Sequence, residues 1–239
     1  DAIPTDPAIE FSLHSGANLI SFPAAGSVGI GAGLPDDIES SVSDIIGAGV
    51  ATTNSGGGWA GNLTNFTGGA GYWMITTAPI SFSYDVSSAG RTRHESASGL
   101  SIPEGYMINQ STRQSFYFIE EIIIHGELIT ESDWILAYNG NTLVGSRVWN
   151  GSYTDIPTMG NDGIVETESY CEIGSDLRFK VLQESSGKYF QITESMPDWG
   201  NNKIFTMGKL SAREMPSETL LASAYPNPFN PITRITFGI

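Results

Sequence analysis

Glycine and proline interrupt this chain roughly every eight to twelve residues, and short alternating or β-branched runs fill the intervals. With 28 glycines and 12 prolines spread along 239 residues, no long helical period survives. Each proline removes a backbone donor and each mid-helix glycine costs about 1 kcal/mol. The expected fold is therefore all-β. In the first half, strands are expected at NLISF (18–22), GYWMITT (71–77) and ISFSYDV (80–86). The last puts Ile80, Phe82, Tyr84 and Val86 on one face. One segment has a different period. In PDDIESSVSDIIG, Ile38, Val42, Ile45 and Ile46 recur at helical spacing behind Pro35 and two aspartates, which predicts one short helix over about 36–46.

Residues 87–104 are small and polar without periodicity, and they read as a boundary. Beyond them come YFIEEIIIHGELI (117–129), then WILAY and TLVGSRVW joined by Asn139-Gly140-Asn141. LRFKVLQ and KYFQIT follow, joined by Glu184-Ser185-Ser186-Gly187. Both junctions suit hairpins. The predicted architecture is two β-sandwich-like modules, with an N-terminal module over 1–90, a linker over 91–104 and a second module over 105–210. A further linker and a single strand occupy 211–239.

Charge narrows the partners. The chain carries 11 Lys and Arg against 26 Asp and Glu, a net charge of −15, which repels nucleic acid and anionic lipid. Charged residues make up only 15%, against about 25% in typical domains. Ser, Thr, Asn and Gly must therefore cover much of the surface, a composition common in secreted β-proteins. No apolar run reaches the ~18 residues expected of a membrane-spanning helix. Cys171 is the single cysteine, so no disulfide forms within the chain. A start at Asp1, without a signal peptide, leads us to expect a piece processed from a longer precursor.

The end of the chain, AYPNPFNPITRITFGI (224–239), locks an extended strap with three prolines and then alternates like a strand. Ile235, Phe237 and Ile239 share one face of that strand. Their burial would contribute about 5–9 kcal/mol, at 1.5–3 kcal/mol each, by docking on the chain's own sheet or on a neighbour's. The run Tyr225-Pro226-Asn227-Pro228-Phe229-Asn230-Pro231 resembles the opening of the type A C-terminal sorting domain. In Bacteroidetes-like bacteria that domain directs export by the type IX (Por) system. Only its first ~18 residues have a counterpart here. Upstream, NQSTRQSFYF (109–118), residues 133–163 and residues 11–75 are similar to regions of large secreted proteins of marine bacteria. The resemblance implies a secreted or cell-surface multidomain protein that meets the secretion machinery through its tail. It implies no chemistry.

Candidate sites are sparse. His14, His94 and His125 form no metal or nucleophile motif, and neither HExxH nor GxSxG occurs. No residue is singled out as catalytic, and no enzymatic activity is expected. Asp155, Asn161 and Asp162, with Glu166 nearby, offer hard oxygen ligands suited to Ca²⁺, although Asn-Asp-Gly is equally ordinary turn chemistry. Trp59 and Trp199 sit beside Gly, and Trp149 and Tyr153 flank Asn150-Gly151-Ser152. They are candidate glycan contacts, or alternatively core rings burying 150–250 Å² each. The expected function is a non-enzymatic extracellular structural or adhesive segment. Its partners would be other chains or domains of the parent protein, and the terminal strand would offer one route of assembly. The alternative is a carbohydrate-binding module attached to a secreted enzyme.

Overall fold

A computed structural model describes residues 6–56, 58–87, 89 and 105–215, together with the backbone of 220–221 and 237–238. The chain is all-β and sandwich-like. The first half supplies β1 (Phe11–Leu13), β2 (Gly16–Ser21) and β3 (Ser27–Gly29), then two one-turn helices, α1 (Ile30–Gly33) and α2 (Asp36–Glu39). It continues with β4 (Val42–Ile46), β5 (Ala51–Asn54), β6 (Trp59–Gly61), β7 (Asn65–Thr67), β8 (Gly71–Thr76) and β9 (Ile80–Phe82). A five-stranded antiparallel sheet runs β2-β8-β4-β5-β6, and the pairs β1-β9 and β3-β7 close over it. Leu13, Phe22, Phe66, Met74 and Tyr84 fill the space between.

The expected helix over 36–46 is corrected. It stops after Glu39, and Val42–Ile46 is a strand paired with β5 and β8. The apolar residues lie inside as expected, but for a different reason. A register shift between Val42 and Asp44 lets Val42 and Ile45, three apart, face the same core. Ile46 points to the opposite face and enters a separate buried cluster. One bulge plus burial on both faces thus imitates a helical period. The β-branched composition of the segment favours the strand.

The second half supplies β10 (Gln114–Ile124), β11 (Glu127–Leu128), β12 (Trp134–Asn139), β13 (Thr142–Val148) and β14 (Thr154–Met159). A 3₁₀ turn (Val165–Thr167) precedes β15 (Leu177–Gln183), β16 (Lys188–Ile192) and β17 (Lys203–Glu214). These strands form one eight-stranded sheet, ordered β11-β10-β17-β16-β15-β12-β13 with β14 also paired to β10. The β10–β17 pair is parallel and the rest antiparallel. The sheet curls until β13 passes β14 so closely that a Cβ at Gly145 would collide with the Pro157 carbonyl oxygen.

Tyr117, Ile135, Phe179, Val181 and Phe190 face the interior of this curl. On β10 the inward residues are Tyr117 and Ile119, then Ile122 and Ile124. On β17 they are Phe205 and Met207, then Leu210 and Ala212. Both strands change parity in step, at Glu120 and at Gly208, as expected where a sheet turns a corner. The β12–β13 hairpin turns through Gly140 (φ +59°) and Asn141, the pattern of a type II′ turn.

Two short strands complete the chain. β18 (Leu220–Leu221) pairs with β19 (Phe237–Gly238), Leu221 lying opposite Phe237 of the same chain. The proposed sorting motif (225–231), Ile235, Ile239 and most of the expected linker lie outside the described residues.

Candidate functional site

Two places collect chemistry-bearing side chains: the contact between the two halves and the outward face of the curled sheet. The contact begins with strand parity. Phe116 and Phe118 alternate with Tyr117 and Ile119 on β10, so they leave the second half's core and pack against Ile46 and Ala51 of the first. Polar groups then close the seam. Asp155 is 0% exposed. One of its carboxylate oxygens accepts the Ala51 N–H (3.0 Å) and the other the Asn62 N–H (3.2 Å). Arg147 donates to the Gly49 carbonyl (2.6 Å) and to the Asp155 carbonyl (2.9 Å), and it lies 3.4 Å from the carboxylate. Gln114 donates to the Gly47 carbonyl (2.9 Å) and accepts the Gly49 N–H (3.2 Å). Loop amides that would otherwise be buried without partners are thereby satisfied across the seam. Burial pushes the Asp155 carboxyl up to about 6, against the pull of Arg147 and the backbone donors.

The structure does not bring the proposed Ca²⁺ ligands together. Asp155 is taken up by the seam. Asn161 is six residues further along extended chain, about 20 Å at ~3.3 Å per residue. Asn161 accepts the Gly163 N–H and donates to Glu172, which is turn chemistry. Asp162 ties its loop to the start of β10 through Thr167 and Thr112, and those hydrogen bonds hold its carboxyl well below the usual range. Among the described residues, no group of three His, Cys, Asp or Glu is placed to hold a metal.

The four proposed glycan contacts do not form one displayed platform. Trp199 is 1% exposed and donates to the Thr158 carbonyl, and Trp149 lies in the same core. Tyr153 packs at the seam, and Trp59 packs on the first core with its indole donating to Glu39. Burial of ring area wins outright at Trp149 and Trp199, while Trp59 and Tyr153 are half-buried.

A second aromatic group lies on the outer side of the curled sheet, where Tyr189 is exposed, Tyr106 and Tyr138 are half-buried and Trp134 is buried beneath them. Because Ile135 and Ala137 point inward, Trp134, Leu136 and Tyr138 point out, and register sets Leu182 beside Trp134 and Tyr189 beside Leu182. Tyr106, which precedes β10 by eight residues, stacks on Trp134 with ring centroids 6.4 Å apart. Its hydroxyl meets that of Tyr189 at 2.5 Å. Burial, then this shared hydrogen bond, pushes the Tyr106 hydroxyl up. Lys180 lies over the Tyr138 ring at 4.6 Å. Tyr138, Lys180, Lys188, Tyr189, Glu214 and Met215 border a groove of about 490 Å³, within the usual range for ligand sites.

No protein-family model, curated protein or solved structure matches this chain. Its function must be argued from its own geometry. The outward group escaped sequence reasoning because it is assembled from four separate segments. The readable signal was parity: in WILAYN, LRFKVLQ and KYFQI, the residues alternating with the apolar core positions are Tyr138, Arg178, Lys180 and Tyr189.

Proposed function

We propose that this chain is a non-enzymatic structural or adhesive segment of a secreted or cell-surface bacterial protein, and that it presents stiff β-structure outside the cell. The observation that carries the reading is the buried seam. Asp155 caps amides 104 and 93 residues away in sequence, and aromatic side chains pack beside it, which joins the halves as one body. A unit that transmits contact rather than turning over substrate needs such stiffness. The export half of the reading is supported by the likeness of residues 224–239 to a type IX sorting tail and by the sparsely charged surface. Its partners would be the secretion machinery and neighbouring domains of the parent protein. Antibody labelling of intact cells tests it: label on the surface, or protein in the medium, is expected. Protein confined to the cell interior overturns the reading.

A second reading, a carbohydrate-binding module serving a secreted enzyme, is favoured by the exposed Tyr189 ring beside half-buried Tyr106 and Tyr138. A panel of oligosaccharides tests it, with binding expected to fall on Tyr189→Ala, since Tyr189 is the exposed ring of this face while Trp149 and Trp199 are buried in the core.

A further inference from the structure

We propose that the outward face of β12, β15, β16 and β17 binds an acidic polysaccharide, a glycan carrying carboxylates on successive sugar rings. The inference deepens the carbohydrate-binding reading and rests on it. It begins from ion pairing. With acids outnumbering bases 26 to 11, every cation on this chain has carboxylates available. Arg113, Arg147, Lys188 and Lys209 each take one, Glu172, Asp155, Glu214 and Glu121 respectively. Among the described residues Lys203, Arg178, Lys180 and Arg213 take none, and the last three share the outward face. The guanidinium groups of Arg178 and Arg213 have no hydrogen bond or ion pair with any described residue, and Lys180 has only the Tyr138 ring.

Register brings these three cations together. Tyr138 lies opposite Arg178, Lys180 opposite Gln191, and Gln191 opposite Arg213. Directly opposed residues share a face. Strands about 4.8 Å apart put Lys180 and Arg213 about 10 Å from each other, and Arg178 sits about 7 Å along the strand from Lys180. One small anion cannot reach all three, whereas a chain with repeated carboxylates can. Tyr189, 38% exposed, sits on the same face and offers its ring to the apolar face of a sugar. The Tyr106 and Tyr189 hydroxyls, with the Lys188–Glu214 pair at the rim (2.7 Å), supply partners for sugar hydroxyls. Cations beside the exposed Tyr189 ring and the half-buried Tyr138 ring favour an acidic sugar over inorganic polyanions.

Isothermal titration with a hexamer of α-1,4-linked galacturonic acid, its methyl-esterified form, neutral cellohexaose and single-stranded DNA tests the proposal. The acidic hexamer is expected to bind, with affinity falling as salt rises. Arg178→Gln with Arg213→Gln should weaken it at least tenfold, and Tyr189→Ala should weaken it at unchanged salt dependence. Both arginines are exposed, and an unchanged melting temperature will confirm folding. Equal binding of the neutral and esterified sugars overturns the acidic inference and leaves the carbohydrate reading standing. Binding of no sugar overturns both. Tighter binding of DNA through the same arginines, or acidic-sugar binding indifferent to all three substitutions, also overturns the proposal.

Discussion

Asp155→Asn keeps the shape of the side chain at the seam while abolishing its ionisation, and the consequence has a sign that pH reveals. Burial raises the Asp155 carboxyl from an ordinary 3.8 to about 6. A group that binds its proton more tightly when folded stabilises the protein fully below its unfolded pKa. That contribution is lost as pH climbs toward the folded value. A displacement of about two pH units at about 1.4 kcal/mol each amounts to about 3 kcal/mol, most of it lost between pH 4 and 7. Among the described residues, the only other charged side chain in contact with this carboxylate is Arg147. Asparagine does not titrate, so the stability gap between the native protein and the variant should shift by 2–3 kcal/mol in the variant's favour from pH 4 to pH 7, following the same linkage. Other carboxylates titrate alike in both proteins and cancel. Urea unfolding followed by tryptophan fluorescence at four pH values measures the gap. A gap independent of pH, or one moving in the native protein's favour, would refute the reasoning. The second outcome would mean that Arg147 and the two amides outweigh burial.

Three further predictions concern packing. Gly61→Ala should destabilise by several kcal/mol in chemical denaturation. Gly61 has φ +130°, and its added Cβ would collide with the Ala51 carbonyl and the Phe118 ring at the seam. Trp149→Ala should cost about 3–5 kcal/mol, measured as a fall in unfolding free energy, because the ring lies in the core rather than on a binding face. Cys171 is buried, and burial pushes its thiol up to about 12. It should resist a thiol reagent in the native protein and react fully in denaturant; rapid native labelling would contradict its placement.

Local patterning made the class of fold legible and left the long-range arrangement hidden. The strand runs at 177–183 and 188–192 and the hairpin at Gly140 follow from alternation and turn chemistry, so they could be read directly. At ISFSYDV regular pairing ends at Phe82, yet Tyr84 still reaches the core. Val42–Ile46 misled because two buried faces and a bulge erase the two-residue period that marks a half-buried strand. The same blindness affected the candidate sites. Asp155 looked like a loop ligand, but its role depends on Ala51 and Asn62, which no local pattern links to it. The indoles near Gly and Asn looked displayed, but whether a ring is exposed depends on which side of a curled sheet it faces. Parity along β12, β15 and β16 was available in the sequence. It became informative only once the inward side was known.

Scanning calorimetry of the full chain tests most directly whether the halves form one body, on which the structural reading depends. A single transition is expected, with calorimetric and van't Hoff enthalpies equal. Two resolved transitions, with Asp155→Asn shifting neither, would mean that the seam joins nothing.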